Sequence, residues 1–169
     1  MEKTDINRWL NSNQSWESRI EQMASYIPKD SLVLDIGAGK KILKKFIPTC
    51  EHNTLDLQDS TYNCDLNNMT DYLWEGIGIY SHIFCSGVLE YIINLPEFIK
   101  HITSKGSTFI ISYAGVELNN ERKSHRWLND YRIIDIVTMF LNKNCELIRI
   151  QEWQTHTLMV FKKESKNEL

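Results

Sequence analysis

The chain has 169 residues, 42% hydrophobic and 24% charged, which suits one domain with a buried core and excludes a disordered chain. Its formal charge of -3 (19 basic residues against 22 acidic) gives no broad basic face of the kind nucleic-acid affinity needs, so no nucleic-acid partner is expected. No apolar run reaches the roughly 18 residues of a membrane span, and MEKTDINRWLNSNQ has no apolar signal core, so the chain is read as cytoplasmic.

Ile20, Met23, Ala24 and Ile27 stand at i, i+3, i+4 and i+7, one face of a helix that Trp16 shares. Ser15 is the expected N-cap and Pro28 the stop. Ser31 to Ile36 is an apolar run ending in a glycine turn, as expected of a buried parallel strand. Lys40 to Ile47 reads as a short helix, Thr54 to Asp56 as a strand and Asp71 to Glu75 as a short helix. His82 to Ser86 is a second buried strand; Leu95, Phe98, Ile99 and Ile102 again have helical spacing; Thr108 to Ser112 is a third strand. Leu128 to Leu141 is expected to be the longest helix. ELIRIQEW and THTLMVFKK, almost adjacent, read as a closing antiparallel hairpin. Residues 1–163 form one domain on this reading, and 164–169 a polar tail.

Strands alternating with helices predict an α/β fold with a doubly wound, mostly parallel sheet. One stretch breaks the rhythm. Only five residues separate Asp56 from Tyr62, whereas a parallel crossover needs about a dozen. The helix after the second strand is therefore shortened or missing, or Tyr62 to Cys64 is an extended segment. Cys50, Cys64, Cys85 and Cys145 form no CxxC pair and have no zinc-ligand spacing, so no metal is expected.

Asp35-Ile36-Gly37-Ala38-Gly39 comes directly off the first strand. Glycines there let backbone approach a ligand, and Asp56, 21 positions beyond Asp35, can accept from both hydroxyls of a ribose. A nicotinamide fingerprint needs Gly or Ala where Ile42 stands, and a P-loop needs Gly where Leu34 stands. The remaining reading is S-adenosylmethionine.

Taken together, these motifs make the sequence similar to the class I S-adenosylmethionine-dependent methyltransferase superfamily. Asp35-x-Gly37-x-Gly39 resembles its first motif, Asp56 its ribose-binding acid, and Cys64-Asp65-Leu66 its adenine-edge motif. Cys85-Ser86-Gly87-Val88-Leu89-Glu90-Tyr91 resembles the fourth motif, and Lys105-Gly106-Ser107 the turn before the fifth strand. Lys41 departs from the family's last loop glycine. The resemblance implies a seven-stranded sheet and S-adenosyl-L-methionine as cofactor. It implies binding by Asp35, Gly37, Ala38, Gly39, Asp56, Leu57, Asp65, Leu66, Ser86 and Gly87. Arg19, on the leading helix, is positioned to reach the cofactor's carboxylate. Methyl transfer to oxygen or nitrogen of a small-molecule or sugar-like acceptor is expected, with His125 and Tyr91 as candidate catalytic groups and Tyr113 delivered toward the methyl group. A catalytically silent cofactor-binding subunit or regulator is the alternative. Glu90 reads as a structural or solvated acid, and His156 as an exposed turn residue.

Overall fold

The computed structural model describes residues 16–118 and 122–164. Helix α1 (Glu17–Ala24) precedes β1 (Leu32–Ile36), a 3-10 turn (Ile42–Lys45), β2 (Glu51–Asp56) and β3 (Tyr62–Asn63). Then come a 3-10 turn (Leu66–Asn68), α2 (Asp71–Glu75), β4 (Tyr80–Ser86), a 3-10 turn (Leu89–Tyr91), α3 (Leu95–Lys105) and β5 (Gly106–Tyr113). A last 3-10 turn (Arg122–His125), α4 (Ile133–Leu141), β6 (Cys145–Trp153) and β7 (His156–Lys163) complete the order. The strands form one seven-stranded sheet in the order β3-β2-β1-β4-β5-β7-β6. β1 to β5 pair in parallel, and β7 joins β5 antiparallel with β6 outside it.

Alternation along the strands divides the core. Leu34, Ile36, Leu55, Ile83, Cys85, Phe109 and Ile111 pack with Trp74, Phe98, Ile102, Ile136 and Phe140 from α2, α3 and α4. Val33, Phe84, Ile110, Leu158 and Val160 pack on the other face with Met23 and Ala24 of α1 and Leu43. That second face carries only α1 and the 3-10 turn among the helical elements on either side of β2, so the strand ends there are bordered by loops. None of the described helices is long and apolar enough to cross a membrane.

The five-residue return after β2 works because β3 pairs over only two residues, Leu55 with Tyr62 and Asp56 with Asn63. The chain need step back only a few ångströms, and Thr54 and Thr61 staple the return with reciprocal backbone-to-hydroxyl bonds of 3.0 and 3.1 Å. No crossover helix forms, as the spacing predicts.

Three helix expectations need correction. Lys40 to Ile47 holds only the 3-10 turn Ile42–Lys45, preceded by Lys41 in left-handed backbone. The first helix ends at Ala24, not Ile27, because the residue before Pro28 is pushed out of the α region; Ile27 still buries its side chain. Trp16 occupies the N-cap without a side-chain capping bond, and Ser15 lies outside the described residues. The helix expected from Leu128 begins only at Ile133, so α3, with 11 residues, is the longest of the described helices. Residues 128–132 form no helix because amides among them bond elsewhere. Leu128 N–H donates to Glu90 O at 2.8 Å, and Tyr131 N–H to the Tyr113 hydroxyl at 3.1 Å. Asp135 Oδ2 then accepts from the Arg132 amide at 2.9 Å and starts α4.

Candidate active site at the carboxyl ends of the strands

The loop after β1 turns through left-handed backbone at Gly37 (φ 69°), Gly39 (φ 48°) and Lys41 (φ 55°). Lys41 thus holds a left-handed conformation of the kind that glycine adopts most readily. A Cβ on Gly37 would stand 2.3 Å from Val88 Cγ2, whereas one on Gly39 would meet nothing within 4 Å. The loop is therefore pressed against the turn after β4 at Gly37 and open at Gly39. Asp56 Oδ2 accepts from Gly39 N–H at 2.7 Å and Oδ1 from Leu57 N–H at 2.6 Å. Each carboxylate oxygen has a second acceptor site, so capacity remains for two ribose hydroxyls.

Asp35 is placed differently. Its carboxylate is buried and faces His52 Nε2 on β2 at 3.1 Å. Burial pushes its pKa up, with the His52 hydrogen bond opposing. It braces the floor of the loop. Asp65 caps the next turn, accepting from Asn67 N–H at 3.0 Å and Asn68 Nδ2 at 2.8 Å. Asn67, which sequence reasoning missed, ties Leu66 and its neighbours to the fourth motif. It donates to Tyr91 O and accepts from Ile93 N–H, both at 2.8 Å. Ala38 and Leu57 sit half-buried on the same crest.

Arg19 is 3% exposed, so it is no solvated helix residue. Its Nε donates to Ser86 Oγ at 3.1 Å, and its Nη2 lies 2.7 Å from where a Gly87 Cβ would stand. Gly87 (φ 68°) is bonded through its own N–H to Ser112 Oγ at 2.8 Å. Burial pulls the Arg19 pKa down, and Glu90 and Tyr91 oppose this.

Beyond β4 and β5 the candidate catalytic groups meet through Trp127. Its Nε1 donates to the Tyr91 hydroxyl at 3.0 Å, and its ring stacks on His125 at 4.7 Å between centroids. Tyr113 does not face a ligand. It is fully buried, its hydroxyl engaged by Asn129, Arg122 and Tyr131, and burial pushes its pKa up to about 12.

Three further residues join this end without having been singled out, or with a different role expected. Glu90 is fully buried; Oε1 accepts from Ala114 N–H at 2.8 Å, and Oε2 has no hydrogen-bond partner among the described residues. Burial raises its pKa against the pull of its hydrogen bonds, Arg19 and Arg122. His156 is not an exposed turn residue. Its side chain is 14% exposed, with Nε2 3.6 Å from Glu90 Oε1. Despite that carboxylate, burial and the charges of Arg19, His125 and Arg122 push it down to about 3, so it is a neutral ring at pH 7. Arg122 is buried and bonds to Asp130 Oδ1 (2.7 Å), Asn129 O (2.6 Å), the Tyr113 hydroxyl (3.0 Å) and Ala114 O. The usable signal for His156 was the hairpin itself. An antiparallel β7 beside β5 must begin where β5 ends, and Thr157 does pair with Tyr113.

A cleft of about 230 Å³, lined among others by Leu66, Asn67, Ile92 and Ile93, adjoins the adenine-edge segment. Asp71, Glu97 and His101, on α2 and α3, have the chemistry of metal ligands. Lys100 already pairs with Glu97 at 2.6 Å, and His101 stacks on Trp74.

The fold is shared widely among solved structures. The Haloferax volcanii protein seen in complex with the Trm112 methyltransferase activator superposes with a TM-score of 0.71 at 9% identity, covering 98% of this chain and 100% of its own. An O-methyltransferase family protein from Burkholderia thailandensis matches with a TM-score of 0.71 at 12% identity, over 89% of this chain and 56% of its own length. This chain thus spans little more than half of that protein. The 1,6-didemethyltoxoflavin-N1-methyltransferase of Burkholderia thailandensis, with bound 1,6-didemethyltoxoflavin and S-adenosylhomocysteine, matches at 0.66 and 11% identity, over 90% of this chain and 80% of its own.

The chain has the class I methyltransferase fold. No family model matches its sequence, and no curated protein does. At such identities the likeness lies in topology, so the class I frame identifies what the strand ends position and leaves the chemistry to the side chains on them.

Proposed function

We propose that the protein is an S-adenosylmethionine-dependent methyltransferase acting on oxygen or nitrogen of a small-molecule acceptor. The observation that carries this reading is the crest formed by the open backbone at Gly39 and the adjoining Asp56 carboxylate, which retains acceptor capacity. The row continues through Asp65 and Leu66 at the adenine edge, with Gly37 and Ala38 forming the loop over Asp35. Leu57 lies against the base, and Ser86, Gly87 and Arg19 receive the amino-acid end. The residues present fit the group. Acceptors stand for ribose hydroxyls and an adenine amine, and a buried guanidinium stands for a carboxylate. S-adenosylhomocysteine bound in the didemethyltoxoflavin enzyme supports the same choice of cofactor.

Bound S-adenosylmethionine supplies an activated methyl group on a sulfonium. The chain's own part would be to hold the acceptor in line with that methyl group, so that bond formation to oxygen or nitrogen would accompany cleavage of the methyl–sulfur bond. Where the acceptor must lose a proton, we assign its removal to His125, the imidazole stacked on Trp127 beyond the ends of β4 and β5. The Haloferax likeness, a protein in complex with an activator, supports a second reading in which this chain is a cofactor-binding subunit.

Titration calorimetry tests the proposal. Saturable binding of S-adenosylhomocysteine is expected, weakened by about 2–4 kcal/mol in Asp56→Ala, which loses charge-assisted bonds to both ribose hydroxyls. Asp59→Asn, in the exposed return loop, should bind normally. Saturable binding of a nicotinamide dinucleotide with no heat from S-adenosylhomocysteine would overturn the assignment. Binding without consumption of the methyl donor alongside a cell extract would favour the subunit reading.

A further inference from the structure

Four half-buried rings from two separate segments form a continuous arc at the carboxyl ends of β4 and β5. His125 stacks on Trp127 with centroids 4.7 Å apart. Trp127 meets His156 edge-on at 6.3 Å, and His156 meets Trp153 edge-on at 6.3 Å. His125 and Trp127 come from the loop before α4; Trp153 ends β6 and His156 begins β7. The arc is pinned at both ends. The Arg122 guanidinium lies over Trp127 at 4.8 Å and the Arg19 guanidinium over Trp153 at 5.6 Å, while Tyr91 holds the Trp127 N–H. Arg19 is also the residue bonded to Ser86 at the end of β4. The rings therefore stand beside the place assigned to the cofactor's amino-acid end.

We propose that the acceptor is a planar aromatic or heteroaromatic ring, carrying the oxygen or nitrogen to be methylated on its rim and held by this arc. The inference rests on the methyltransferase reading and narrows its substrate class. Rings already fixed by guanidinium and hydrogen-bond contacts lose little freedom when a flat ligand packs on them, so aromatic packing there adds to the gain from area burial. His156 belongs to the arc as an uncharged ring, since burial and its cationic neighbours keep it unprotonated at pH 7. For a phenolic acceptor the oxygen–methyl bond forms as the methyl–sulfur bond breaks, S-adenosylhomocysteine leaves, and the phenol proton passes to His125 or to water.

The test uses protein saturated with S-adenosylhomocysteine, whose own binding is recorded first by calorimetry. 2-Naphthol is titrated against decahydro-2-naphthol, the same skeleton without a flat ring, and methyl glucoside, with tryptophan quenching and heat as readouts. Saturable 2-naphthol binding, at least tenfold tighter than either of the other two, is expected. Trp153→Leu should weaken it about tenfold and Trp153→Phe should restore most of the loss, as for aromatic packing. Equal binding of the flat and saturated probes, no binding of 2-naphthol, or an unchanged affinity in Trp153→Leu would overturn the acceptor class. Failure of S-adenosylhomocysteine to bind in the first step would instead strike the cofactor reading.

Discussion

Gly37 and Gly39 share a sequence motif and a left-handed backbone but differ in their surroundings. Alanine at 37 adds both strain at φ 69° and a clash with Val88, so Gly37→Ala should cost about 2–5 kcal/mol of folding stability in urea. Alanine at 39 meets open space, so Gly39→Ala should cost about 1–2 kcal/mol of stability, from the left-handed backbone alone. Its larger effect should be on cofactor affinity, because the added methyl projects into the space assigned to the ligand. If Gly39→Ala bound S-adenosylhomocysteine as tightly as the unmodified protein, the loop would not be where the ligand lies. Asp35 shows the limit of motif reading at this scale. Its type was legible, but its contact with His52 depends on the register of β2, which sets His52 beside Val33, two residues along the same face, and residue spacing along one strand does not show that.

Between β5 and α4, the described parts of the loop are bound down rather than free. Asn129 Nδ2 donates to Leu89 O at 2.7 Å and to Ile92 O at 2.9 Å, and Arg122 gathers Ala114, Tyr113 and Asn129. The apolar spacing of Ile133, Ile136, Val137 and Phe140 made α4 readable, but its start was misplaced because these long-range bonds compete for the amides before it. Arg122→Ala should leave several buried acceptors unpaired and cost about 3–5 kcal/mol of stability, with Arg122→Lys recovering only part, because an ammonium cannot reproduce the fork. Denaturant unfolding of both variants checks this. A loss below about 1 kcal/mol in Arg122→Ala would show that the loop is held by its other contacts. β6 and β7 form the closing hairpin that their adjacency in sequence predicted, and β7 is buried continuously from Thr157 to Phe161 rather than alternating.

Over the whole molecule, acid should find the carboxyl end of the sheet first. His156 is held near 3 in the folded chain against an ordinary 6.5, so the unfolded chain binds more protons between those values. Its contribution therefore opposes folding as pH falls through that window, by about 2 kcal/mol between pH 7 and pH 5. His156→Gln should flatten the acid limb of the stability curve by that amount; an unchanged limb would mean that the imidazole takes up its proton in the folded state. The sequence by itself determined the parallel sheet, the closing hairpin and the absent helix after β2, and it marked the loop residues from Gly37 to Leu66 that are proposed to hold the cofactor. These follow from local periodicity and from glycine and carboxylate spacing near strand ends. Only the tertiary structure decided that Arg19, Glu90, Arg122, Trp153 and His156 converge. They lie on elements far apart in the chain, and the antiparallel docking of β7 on β5, against the buried Glu90 carboxylate, brings them to one end of the sheet.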